Sequence, residues 1–270
     1  MSVRTPIHHA RDRVNEERNH VREKRTSFET FARLVRRITA RSVRHPPDAP
    51  AVTDEDTFAA PTISCAPRVD SSEDGCKQVR EAFAETVRPH SVRDLEEPEP
   101  LAATIEEEFG PDCALALASK TPTRFTASTK RAVLAAVAER TTELAAMGNA
   151  LESEAESLDV AADVVEDCTS WLVEANETPL PDLGFDELRT RHETLSRYRT
   201  RCDDLARDRQ SFLSGTTNPG PGVGMTHQEL AAYLYAAFPV DYPVLATCVR
   251  LERICRNCQR AVRDHLVRRA

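Results

Sequence analysis

Four residues near the C-terminal end have types and spacing that could do chemistry: His227, Glu229, Cys255 and Cys258. A His-x-Glu separated by 25 residues from a Cys-x-x-Cys is the donor set of zinc-dependent deamination. One histidine and two thiolates would hold the metal, and the glutamate would move a proton to and from its water. Three features argue against it. Ile254 stands where that pattern has a proline, no segment reads as the sheet such a site needs, and Thr226-x-x-Glu229 is already explained as a reciprocal helix cap.

The cysteines alone permit a weaker idea. Cys255 and Cys258 share one helical face, so they could fill two positions of a zinc site. Cys248 lies about 10 Å away along the same helix, at about 1.5 Å per residue. One helix therefore cannot complete the set, and Cys202 or Cys168 would have to arrive from elsewhere. The simpler reading is core: Cys248, Cys255 and Cys258 fall on an apolar row, where a free thiol packs as a small hydrophobe.

On the opposite face of that segment stand Arg253, Arg256, Arg260 and Arg263, with Arg250, Arg268 and Arg269 nearby. They could line a phosphate backbone or make an ordinary solvated face. Tyr233, Tyr235 and Phe238 precede the arginines rather than interleave with them, so base stacking is not supported. Gly220-Pro-Gly-Val-Gly-Met-Thr226 is no phosphate loop, because Met225 occupies the place of the lysine. Trp171, the single tryptophan, reads as core.

The elements that must position these residues are helical. Ile7, Val14, Val21, Phe28 and Val35 recur every seven residues, as do Val137, Leu144, Leu151, Leu158, Val165 and Leu172. An apolar residue every 3.5 positions keeps one seam against a partner helix. Residues 3–44 read as one amphipathic helix, with Glu17 and Lys24 interrupting the row beside its seam. Residues 46–72 carry Pro46, Pro47, Pro50, Pro61 and Pro67 and read as a disordered linker. A bundle over 73–270 follows. It opens with short helices at 73–87 and 101–109, the second stopped by Gly110-Pro111, and a short piece at 112–119. A long antiparallel hairpin at 127–213 turns at Pro179 and Pro181. After a short helix at 228–238, a C-terminal helix at 241–268 packs on the hairpin through Val244, Cys248, Leu251, Cys255, Cys258 and Val262. The fold class is all-α, an elongated helical bundle with a separate N-terminal helix.

Charge is segregated: net +7 over residues 1–45, −11 over 46–120, −10 over 121–187 and +6 over 188–270, for −8 in all. The basic ends could fold onto the acidic middle. With only Lys24, Lys77, Lys120 and Lys130 among 36 basic residues, arginine dominates, which suits a GC-rich genome and a saline cytoplasm. Apolar runs such as Ala132–Ala138 are far short of a membrane span, and the opening Met-Ser-Val-Arg-Thr-Pro reads as lacking the apolar stretch of a signal peptide.

Several stretches resemble a family of uncharacterised helical proteins from haloarchaea. They are Ala82-Phe-Ala-Glu-Thr-Val-Arg88, Glu107-Glu-Phe-Gly-Pro111, Arg124-Phe-Thr-Ala-Ser-Thr-Lys-Arg-Ala-Val-Leu134, Gly184-Phe-Asp-Glu-Leu188, Cys202-Asp-Asp-Leu-Ala-Arg-Asp-Arg-Gln210, Leu234-Tyr235 and Tyr242-Pro-Val-Leu245. Family members often carry an aromatic residue after the equivalent of Arg88-Pro-His90, where this chain has Ser91. The resemblance implies a helical fold and high salt, with no assigned activity and no functional residues to carry over.

The expectation is a cytoplasmic, non-enzymatic interaction or scaffold protein without a cofactor. Its N-terminal seam (Val14, Val21, Phe28, Val35) should seek another protein or a second copy through residues 3–44. Nucleic-acid binding through the arginine-rich end helices is the alternative.

Overall fold

Proline, glycine and capping residues punctuate this chain, and the computed structural model places its helix ends close to them. The structure describes residues 4–40, 71–91, 99–118, 124–217 and 225–269. The helices are α1 (Pro6–Arg37), α2 (Ser71–Thr86), α3 (Arg88–Ser91), α4 (Leu101–Ala116), α5 (Ala127–Ala175), α6 (Phe185–Leu213), α7 (His227–Leu234) and α8 (Pro243–Arg269). Among the described residues there is no strand, and one isolated antiparallel bridge joins Thr216 to Thr226. The fold is all-α. The proline-rich stretch expected as a linker lies outside the described residues, except that Ser71 and Ser72 open α2.

The chain divides into two compact units, Met1–Val21 with Ala145–Ala270, and Arg22–Leu144. This differs from the expected separate N-terminal helix. The seam of α1 is not free: Ile7, Val14, Phe28 and Val35 are fully buried and Val21 nearly so. An apolar face that its own chain can cover does not stay in water, so this seam is not the exposed surface expected from the sequence.

In the unit holding residues 22–144, the seam meets an aromatic cluster. Phe31 stacks on Phe109 at a centroid distance of 5.7 Å. Phe83 meets both rings edge-on at 5.7 and 5.4 Å, and Phe28 meets Phe109 edge-on at 5.8 Å. These offset and edge-to-face arrangements suit the ring quadrupoles. Gly110, at φ +80°, breaks α4 in a conformation that favours glycine, where the sequence expected a stop. Helix α1 ends at Arg37 rather than near 44, and at that end the Lys130 ammonium donates to the Arg36 and Ile38 carbonyls at 2.7 Å each. A cation there satisfies carbonyls the helix leaves open.

Lys24, which interrupts the apolar row in the sequence, has a specific use. Its ammonium lies 2.6 Å from the Glu108 carboxylate, and Arg140 lies 2.9 Å from the other oxygen. Burial pushes the Glu108 carboxyl up, but Lys24, Ser91 and Arg140 together outweigh it and hold it below the usual carboxylate range. A depressed folded-state pKa gives stability that is full above the unfolded value of about 4.3 and lost as pH falls through the folded value. Acid unfolding of the full chain should therefore carry a component over that interval. Glu108→Gln should remove it while lowering stability at neutral pH. An identical acid limb in the variant, followed by circular dichroism, would contradict this role.

In the other unit, α5 and α6 form the expected antiparallel hairpin. Glu154 meets Arg209, Asp167 meets Arg201, and the Trp171 ring lies 5.5 Å from that of Tyr198. Helix α8 runs antiparallel to α6: Arg199 donates to Glu252 at 3.0 Å and to Gln259 at 2.8 Å, and Gln259 donates to the His192 carbonyl. The first turns of α1 run antiparallel to α5 through Arg11–Asp159 (2.8 Å) and Arg18–Glu152. Glu17, the other interruption, accepts from the Tyr233 hydroxyl at 3.0 Å.

Candidate functional site

The unit built from residues 1–21 and 145–270 holds every side chain the sequence singled out around α8, and α8 has two distinct faces. Pro243 at its first position suits the fixed φ of proline, and a periodic apolar row sets its inner face. Val244, Cys248, Leu251, Cys255 and Val262 are buried, with Cys258 half-buried.

Helix α5 brings Cys168 to this face, its sulfur 3.6 Å from that of Cys255, and α6 adds Cys202. The contact between Cys168 and Cys255 raises the first thiol, which burial raises further, and lowers the second. Burial pushes Cys202 up to about 12 and Cys248 up to about 11. It also raises Cys258. Among the described residues, no group of three or more His, Cys, Asp or Glu side chains is placed to hold a metal ion. His227 instead stacks on Phe212, with ring centroids 4.0 Å apart. Glu229 makes the reciprocal cap: its carboxylate accepts from the Thr226 amide at 2.7 Å, and its own amide donates to the Thr226 hydroxyl at 3.1 Å. The helix cap read from Thr226 and Glu229 is present, and the zinc constellation is not assembled.

The outer face carries Arg253, Arg256, Arg260 and Arg263, all exposed. Arg256 pairs with Glu252 one turn back at 2.8 Å; Arg253, Arg260 and Arg263 have no ion-pair partner among the described residues. At about 100° per residue, all four lie within about 40° of one line along the helix. Val249 and Val267 lie on the same line and are 69% and 72% exposed. The arrangement can attract an anionic surface and offers an apolar contact at each end.

Sequence reasoning missed a buried polar network. Arg209 donates to both carboxylate oxygens of Glu154, at 2.6 and 3.0 Å, and to the Ser157 hydroxyl at 2.8 Å. Tyr235 donates to Glu154 at 2.5 Å, and burial raises its phenol further, with the Glu154 charge adding to the effect. The Arg209 guanidinium lies 5.0 Å from the Phe212 ring centroid. Burial lowers the His227 imidazole, and its Nδ1 is the single buried side-chain nitrogen or oxygen without a hydrogen-bond partner among the described residues. A signal was present: Arg209 continues the row Leu188, Leu195, Cys202 by seven, and Glu154 falls in a row with Ala161 and Cys168. Opposite charges at seam positions of two antiparallel arms were there to be paired.

A cavity of about 280 Å³ opens where the hairpin turns, between Trp171, Leu180, Arg191, Leu195, Cys258 and Val262. Trp171 is half-buried in its wall rather than enclosed in the core.

These features define an all-α protein whose hairpin is locked by a buried ion pair and whose C-terminal helix presents arginines to solvent. A family model described as a domain of unknown function, DUF7260, matches residues 5–259, and the chain belongs to that family. No curated protein and no solved structure matches the chain. Among the described residues, no helix is long and apolar enough to cross a membrane.

Proposed function

We propose that this chain is a non-catalytic interaction protein of a saline, haloarchaeal-type cytoplasm, docking an acidic amphipathic helix of another protein on the outer face of α8. The observation that carries the reading is the line Val249, Arg253, Arg256, Arg260, Arg263, Val267, about 27 Å long at about 1.5 Å per residue. Three of its guanidinium groups have no carboxylate partner among the described residues. Helix-in-groove partners are read through anchors three, four and seven apart, and these six residues keep that spacing. The valines matter in high salt: with a Debye length of about 3 Å at 1 M, charge alone gives little affinity and apolar contact must supply the rest.

Binding to nucleic acid through the same arginines is the second reading. Phosphate contacts weaken steeply with salt, and no aromatic side chain lies in the line, so the helix partner is favoured. A pull-down in molar KCl with wild type and Arg253→Glu/Arg260→Glu separates them. The expected result is a protein captured by wild type and lost, by tenfold or more, from the variant. Capture that is abolished by nuclease and falls steeply with salt would promote the second reading. Equal capture by both forms would remove α8 from either.

A further inference from the structure

We infer that Cys168 and Cys255 form an oxidisable dithiol, a modification site at which a two-electron oxidant such as hydrogen peroxide closes a disulfide between α5 and α8. The two sulfurs are 3.6 Å apart although their residues are 87 positions apart in sequence. A disulfide needs an S–S distance of about 2.05 Å, so bond formation asks for an approach of about 1.5 Å, within the reach of side-chain rotation. Both cysteines are fully enclosed by the chain, which holds the pair together and restricts reaction to local opening of the helices. Their contact favours Cys168 as the S–H donor and Cys255 as the sulfur that carries the negative charge, and the thiolate is the nucleophile.

The reaction balances in two steps. The Cys255 sulfur attacks one peroxide oxygen, the O–O bond breaks, and a sulfenic acid and one water result. The Cys168 sulfur then displaces the sulfenic oxygen as a second water, forming the S–S bond. Two electrons pass from the thiol pair to peroxide. The bond closes a long loop, and in the chain-entropy account a long loop gives the larger constraint on the unfolded chain. Oxidation would therefore hold α5 on α8 against unfolding.

The sequence makes the test clean. Trypsin places Cys168 alone in Thr141–Arg189, Cys255 alone in Ile254–Arg256, Cys258 alone in Asn257–Arg260 and Cys202 alone in Cys202–Arg207. The native full-length chain is treated with hydrogen peroxide, quenched by alkylation in denaturant and mapped without reductant. The expected result is a cross-link between Thr141–Arg189 and Ile254–Arg256, with an increase in the urea midpoint that dithiothreitol reverses. Cys168→Ser should abolish the cross-link, and the wild-type map decides the matter even if that variant fails to fold. Alkylation of both sulfurs after peroxide would overturn the inference, as would a dominant link from Cys255 to Cys258 or Cys202. So would a cross-link that forms only when urea is present during oxidation.

Discussion

Replacing Arg209 with methionine is expected to lower the stability of the hairpin unit by about 3–5 kcal/mol, the range found when one partner of a buried ion pair is removed. Both side chains are out of water, Arg209 at 3% exposure and Glu154 at 0%. Without the guanidinium, the carboxylate keeps only the Tyr235 hydroxyl, and the low local dielectric makes an unpaired charge expensive. The double variant Arg209→Met/Glu154→Leu should recover more than half of the loss, because no buried charge then remains and the volumes are close to conserved. Urea unfolding of the two variants against wild type measures both numbers. A single-variant loss below about 1 kcal/mol, within the range of exposed pairs, would mean that water reaches this site. Hydrogen exchange should quicken first in α6, which holds the arginine, and at the C-terminal end of α7, which Tyr235 caps.

Phe31→Ala should cost a similar amount, about 3–5 kcal/mol, in the unit of residues 22–144. Phe31 is fully buried and contacts both Phe83 and Phe109. Its truncation removes transfer free energy and two ring contacts, and leaves a void that three helices cannot collapse around without moving. Phe31→Leu keeps most of the volume and should cost less than half as much. A leucine variant as damaged as the alanine one would show that ring geometry, rather than volume, holds the cluster. The readout is the urea midpoint of each variant, with amide exchange in α2 and α4 as the local measure. The chain has only 5% aromatic residues, so concentrating four phenylalanines at one point makes this cluster the main aromatic contribution to its unit.

Burial of the α1 seam shows where reading the sequence stops. The row Val14, Val21, Phe28, Val35 was legible and is inside, as an amphipathic helix requires. What covers it was not legible. Arg18 reaches Glu152 across 134 positions, and the Lys130 ammonium reaches the Ile38 carbonyl across 92. An exposed face and an internally covered one have the same periodicity. Glu17 and Lys24 read as flaws in the seam, yet each is the group that makes a specific polar contact.

The sequence by itself determined the helical class, the turn at Pro179 and Pro181, the break at Gly110, the cap at Thr226 and the two faces of α8. Each of these follows from forces that act within a turn or two: a missing donor, a permissive backbone, a side chain closing on an amide, a period of about 3.6. Only the tertiary structure decided that α1 is covered by its own chain, that Cys168 meets Cys255, and that Glu154 and Arg209 lock the hairpin beside Tyr235. Those outcomes depend on the register between distant helices, which the summed packing of whole faces sets and no local signal encodes.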